Sequence, residues 1–104
     1  MKPQWNATKD PDSVEPYGFD WTHYLTDLGE DVLLASSEWF VESTESPSAL
    51  EIDSDSILAG SLKTQAVFSG GTLGTIYRVI NRITTSSSPV VTDDRSVTFT
   101  ITQK

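Results

Sequence analysis

The last third of the chain alternates apolar and polar residues with period two. Over residues 75–84, Tyr77, Val79, Asn81 and Ile83 fall on one side of a predicted strand, and Ile76, Arg78, Ile80 and Arg82 on the other. Beyond a polar turn at 85–89, Val97, Phe99 and Ile101 alternate with Thr98, Thr100 and Thr102. The pair reads as a hairpin with one face on a core and the other coated with hydroxyls. Nearer the start, Tyr17, Phe19 and Trp21 share a face opposite Gly18 and Asp20, which predicts a strand over 17–22. Further strands are expected at 32–41, 49–52, 56–59 and 64–68, the last stopped by Gly70-Gly71, with a turn at 53–56. Residues 23–31, with Gly29 and three acids, read as a loop or one helical turn.

Seven short strands separated by turns are what an antiparallel β-sandwich needs. Leu73-Gly74-Thr75-Ile76-Tyr77 has the pattern of a tyrosine corner, a sharp turn into a strand that starts near a Tyr. There the phenol bonds back to backbone groups just upstream. The expectation is therefore an all-β, immunoglobulin-like or fibronectin-like sandwich. Residues 1–16 read as an extended N-terminal arm, because Pro3, Pro11 and Pro16 each remove a backbone donor. Residues 17–104 form the single domain. Trp5, isolated in that polar arm, is expected to dock against a surface.

Composition narrows the chemistry. The 104 residues include 14 Ser and 13 Thr, a bias toward strands and turns. With no Cys and one His, disulfides, thiolate sites and His-cluster metal sites are excluded. No apolar run approaches the roughly 20 residues that span a bilayer, and no secretory leader pattern follows Met1-Lys2-Pro3. A formal charge of −8 opposes binding to nucleic-acid phosphates. That charge is polarised: 13 acids and no Lys or Arg lie between Asp10 and Leu62, whereas residues 63–104 hold five cations and two acids. The halves can attract each other across a sheet pair, or the acidic face of one subunit can meet the basic face of the next.

No motif supplies catalysis. His23 lies near Asp20 and Asp27 but lacks a second catalytic element. Asp53-Ser54-Asp55-Ser56 lacks the Gly and the bidentate Glu of a calcium loop, and Asp10, Asp12 and Glu15 are no better as cation ligands. Ser69-Gly70-Gly71-Thr72-Leu73-Gly74-Thr75 leads into a strand with no Lys, so it is a corner rather than a phosphate cradle. Catalytic, cofactor and metal residues are therefore assigned to none. Arg78 and Arg82 share a face with Ile76 and Ile80, a mixed apolar and cationic stripe suited to a partner protein.

Two blocks carry a family resemblance. One is Lys9-Asp10-Pro11-Asp12, the Tyr17-Gly18-Phe19-Asp20-Trp21 strand and Trp39. The other runs from Ser69-Gly70-Gly71-Thr72 through Tyr77, Val79 and Asn81-Arg82-Ile83-Thr84-Thr85 to Asp94-Arg95-Ser96. Together they resemble the small tailed-bacteriophage fibre–tail adaptor proteins, over most of the chain from Lys9 to Ile101. The resemblance implies a non-enzymatic virion structural protein of the tail or neck, present in the host cytoplasm before assembly. Its partners would be other tail, neck or fibre proteins and further copies of itself in a ring, with no nucleic acid and no membrane. Trp5, Lys9, Asp10, Asp12, Arg78 and Arg82 are the expected partner-binding residues. The alternative is a glycan- or host-surface-binding module using Trp21 and Tyr24 as a stacking platform.

Overall fold

The computed structural model describes residues 4–45 and 48–103, with side chains from Asn6 onward. Seven strands and one helix follow the chain: β1 (Gln4–Lys9), β2 (Val14–Asp20), α1 (Thr22–Leu28), β3 (Leu34–Glu42), β4 (Leu50–Ile57), β5 (Lys63–Gly70), β6 (Ile76–Thr85) and β7 (Thr92–Ile101). They form a four-stranded sheet in the order β1-β7-β6-β3 and a three-stranded sheet in the order β2-β5-β4. All neighbours are antiparallel except β1 and β7, which run parallel from Gln4 opposite Ser96 to Lys9 opposite Ile101.

Seven strands were expected and seven are present among the described residues, but their membership differs. Within the segment read as an arm, the described residues form β1, a turn and the start of β2, so the boundary at residue 16 falls inside a strand, and residues 1–3 lie outside the described residues. Backbone pairing along β7 does not require apolar alternation, and Pro16 is tolerated because β2 is an edge strand. The two short strands expected at 49–52 and 56–59 are one strand, β4. A register shift between Ile52 and Ser54 absorbs Asp53 as a bulge, where a turn was expected. The loop or single turn expected at 23–31 contains α1, which buries Leu25. Just before the helix, the Asp20 carboxylate receives the Thr22 N–H at 2.9 Å and its hydroxyl at 2.5 Å.

The inner faces of both sheets share one core. Phe19 of β2 stacks on Trp39 of β3 with centroids 5.7 Å apart, and Phe68 of β5 meets Phe99 of β7 edge-on at 4.9 Å. Each such aromatic contributes roughly 1.5–3 kcal/mol by burial. On β6 the alternation holds as expected: Tyr77, Val79, Asn81 and Ile83 are all buried. The indole N–H of Trp39 is enclosed without a hydrogen-bond partner, a cost on the order of 1–3 kcal/mol set against the stacking of its ring.

The corner between β5 and β6 depends on glycine. Gly70 has φ +76°, and a Cβ there would lie 2.3 Å from the Ala49 carbonyl oxygen. Gly70→Ala should therefore destabilise the protein by on the order of 1–3 kcal/mol in urea titration. Unchanged stability would show that the corner relaxes at no cost.

Candidate partner-binding site

The six residues expected at a partner contact separate into two regions. Lys9, Asp10 and Asp12 belong to the β1–β2 turn. Its geometry is local: the Asp10 carboxylate receives the Asp12 N–H at 2.8 Å, and the Asp10 carbonyl receives both the N–H and the hydroxyl of Ser13. Lys9 is only 1% exposed. Its ammonium donates to the carbonyls of Asp10 (2.9 Å), Ser13 (2.6 Å) and Gly70 (2.7 Å). Burial pushes its pKa below the ordinary lysine value, and Glu15, Asp10, Asp12 and Asp53 oppose that shift. The enclosed ammonium ties β1, the β1–β2 turn and the end of β5 together, so Lys9 presents no charge to a neighbour. Asp12 is exposed and Asp10 half-buried. Trp5 pairs opposite Val97 through its backbone, and its side chain lies outside the described residues.

Arg78 and Arg82 come together on the outer face of the four-stranded sheet. Arg78 donates to Glu42, directly opposite on β3, at 3.1 Å. Arg82 holds Asp94 of β7 with two donors at 2.8 and 3.1 Å, and its guanidinium lies 5.4 Å from the centroid of the Phe40 ring. The Asp94 carboxylate raises the Arg82 pKa further above its ordinary value. These pairs are half-exposed and screened by water, so they orient the side chains more than they stabilise the fold. Of these two pairs only Arg78–Glu42 joins the acidic and basic halves, and it does so between neighbouring strands of one sheet rather than across the sheet pair as expected. Phe40 belongs with this face, 38% exposed and directly opposite Ile80. Sequence reasoning missed it, although its place after the inward Trp39 is the signal that turns it outward.

Two polar clusters hold these surfaces in place. The buried Asn81 amide oxygen accepts from Trp21 Nε1 (3.1 Å) and Thr64 Oγ1 (2.7 Å), while Nδ2 donates to Ser37 Oγ and the Glu38 carbonyl. Trp21 is 1% exposed, and the Arg95 guanidinium covers its ring at 4.1 Å. The stacking platform expected at Trp21 and Tyr24 is therefore closed, because Trp21 is a core residue. At the other end of β6, the buried Tyr77 phenol accepts the Thr72 N–H at 3.0 Å, the upstream bond expected of the corner. It also donates to Glu45, a partner the sequence pattern did not reveal.

Glu45 further receives the Thr72 hydroxyl (2.6 Å) and the Ala49 N–H (3.0 Å). The Thr72 hydroxyl, the Tyr77 phenol and the Ala49 N–H all favour its ionised form and hold its pKa below the ordinary 4.5. His23 is exposed at the start of α1, and Asp53 accepts from Ser69 at 2.7 Å.

The molecule is thus a small two-sheet β protein whose described cations are engaged largely in its own architecture. Residues 9–100 match the family described as Podophage GP4 fiber-tail adaptor protein gp77, and the chain belongs to that family. No curated protein and no solved structure matches it. The family is a fibre–tail adaptor of podophage, a structural component of the tail.

Asn81→Leu should cost about 3–5 kcal/mol, because two buried donors lose their acceptor at once. An unfolding free energy from urea titration within about 0.5 kcal/mol of wild type would contradict the hub role. The lowered pKa of Glu45 has a definite sign: its stabilisation is present above the ordinary carboxylate value and is lost as pH falls through the folded value. Glu45→Gln should therefore be less stable than wild type at pH 7, with the gap closing between pH 4.5 and more acid solution in thermal melts. A gap independent of pH would assign the effect to packing alone.

Proposed function

We propose that the protein is a non-enzymatic structural adaptor of the phage virion, an immunoglobulin-like β-sandwich that joins tail or neck components to fibre through protein contacts. The observation that carries this reading is the family match across residues 9–100. The use of the polar side chains supports it. Asn81, Lys9 and Glu45, the most heavily hydrogen-bonded side chains described above, tie strands and turns together, as a structural component requires. The order β1-β7-β6-β3 against β2-β5-β4, with the Tyr77 corner entering β6, supports the immunoglobulin-like description.

In this reading the sandwich is a rigid spacer present in several copies. Arg78 and Arg82 with Phe40 provide a contact face, since Arg and aromatic residues concentrate binding energy at interfaces. Trp5 and the turn carrying Asp10 and Asp12 provide a second contact at the β1 edge, and Lys9 acts on it by shaping the turn. The chain is made in the host cytoplasm and incorporated into the tail or neck.

Crosslinking of purified particles followed by mass spectrometry tests the assignment. Crosslinks should connect this chain to tail and fibre proteins, with Lys63, exposed at the start of β5, among the reactive positions. Its absence from purified particles would overturn the reading.

A further inference from the structure

An edge strand presents a row of backbone groups that seek partners, and the edges of the two sheets are finished differently. On β2 the Trp21 N–H bonds to the Leu62 carbonyl, so the even-numbered backbone groups face outward. There Pro16 has no N–H to offer, and the Asp20 carbonyl is taken by the Arg95 guanidinium at 2.7 Å. β4 is bent by the bulge at Asp53 and carries Glu51, Asp53 and Asp55, all exposed. β3 breaks register between Leu34 and Ser36 and carries Glu38 and Glu42. β1 has none of these devices. Its register with β7 is unbroken from Gln4 to Lys9, it contains no Pro, and its exposed residues Asn6 and Thr8 are neutral.

The Lys9 carbonyl accepts the Thr102 N–H at 2.9 Å, which turns the odd-numbered backbone groups of β1 toward β7. The N–H and C=O of Asn6 and Thr8 therefore point out of the sheet. Beside them the sandwich is open. Between β1 and β2 lies a cleft of about 180 Å³, lined by Ala7, Pro16, Tyr17 and Phe99 and by Glu15. Cavities of about 150 Å³ hold a benzene ring, so this cleft takes one apolar side chain. At the same end, Glu15, Asp10, Asp12 and Asp53 surround the Lys9 ammonium, four acids about one enclosed cation.

We infer that the β1 edge is completed by an extended strand of a neighbouring virion protein. Its backbone pairs with Asn6 and Thr8, an apolar side chain on its inner face fills the cleft, and a Lys or Arg lies against the acidic β1–β2 turn. The chemistry selects this occupant. In-plane N–H and C=O groups are matched by another extended backbone, the cleft calls for an apolar side chain, and the surplus of acid calls for a cation. A second copy, at −8, adds to that surplus rather than offsetting it. The inference deepens the adaptor reading by naming the mode of attachment, and it rests on that reading for the source of the strand.

Hydrogen exchange resolved to single amides by mass spectrometry, on the free chain and on purified particles, tests it. In the free chain, Asn6 and Thr8 should exchange faster than Ala7 and Lys9, whose N–H groups face β7. In particles both should slow by roughly 100-fold. Thr8→Pro removes an outward donor and no bond of the fold, so its melting temperature should stay within about 5 °C of wild type. Its incorporation into particles, and that of Asp12→Lys, should fall by about tenfold or more. The purified wild-type chain should sediment as a monomer at about 100 μM. Asn6 and Thr8 amides that exchange in particles as in the free chain, or incorporation of either variant at the wild-type level, would overturn the inference. Dimers of the purified chain with Asn6 and Thr8 protected would overturn it too, by giving the edge to a second copy. A chain missing from particles would be a different failure, that of the adaptor reading itself.

Discussion

Four hydrogen bonds converge on the Asn81 side chain, which has no exposure to water. An amide has two donors and two acceptor sites, and here every one is used. Its partners come from β3, from β5 and from Trp21, so the amide joins the four-stranded sheet to the three-stranded sheet and to the start of α1. In a core of otherwise interchangeable apolar contacts, this arrangement has one geometry that satisfies it. A sheet displaced by one residue would leave Trp21 Nε1 and Thr64 Oγ1 buried without an acceptor. The positions of Phe40, Arg78 and Arg82 on the outer face follow from that registration.

Lys9 and Glu45 extend the same logic to one end of the molecule. Lys9 fastens β1 and the β1–β2 turn to the end of β5 through carbonyl groups. Glu45 fastens the segment after β3 to the corner before β6 through Tyr77 and Thr72. Lys9 is a charged group that elementary solvation would send to the surface, and carbonyl partners replace its water. Glu45 stays at the surface and acts through the directions of its hydrogen bonds.

Much of the fold was legible from alternation. The strands around Tyr77 and Val97 and the inward faces of Phe19, Trp21, Ala66 and Phe68 follow from period two and side-chain volume alone. Two segments were misread. β1 was read as an arm because Pro3, Pro11 and Pro16 remove backbone donors, yet none of them falls within Gln4–Lys9, whose backbone pairs with β7. β4 was split in two because Asp53-Ser54-Asp55 resembles a turn, whereas a bulge accommodates it in an exposed edge strand. The surface residues were only partly legible. Arg78 and Arg82 were found because they share a strand with apolar neighbours, but Phe40 belongs to a different strand that only pairing brings beside them. Lys9 was misjudged because a lysine's burial depends on carbonyls as distant as Gly70.

The sequence by itself determined the class of the molecule: strands rather than helices, no thiol or imidazole cluster, and a family pattern running from Lys9 onward. These properties depend on local periodicity and on which functional groups are present, and no partner is needed to express them. Only the tertiary structure decided what the charges do. The excess of acid in one half and of base in the other is a sum over residues. Whether Arg78 meets Glu42, Lys9 is enclosed or Asp53 accepts from Ser69 depends on which strands become neighbours. Strand pairing is set by contacts between residues far apart in the chain, and the net charge of −8 contains no information about them.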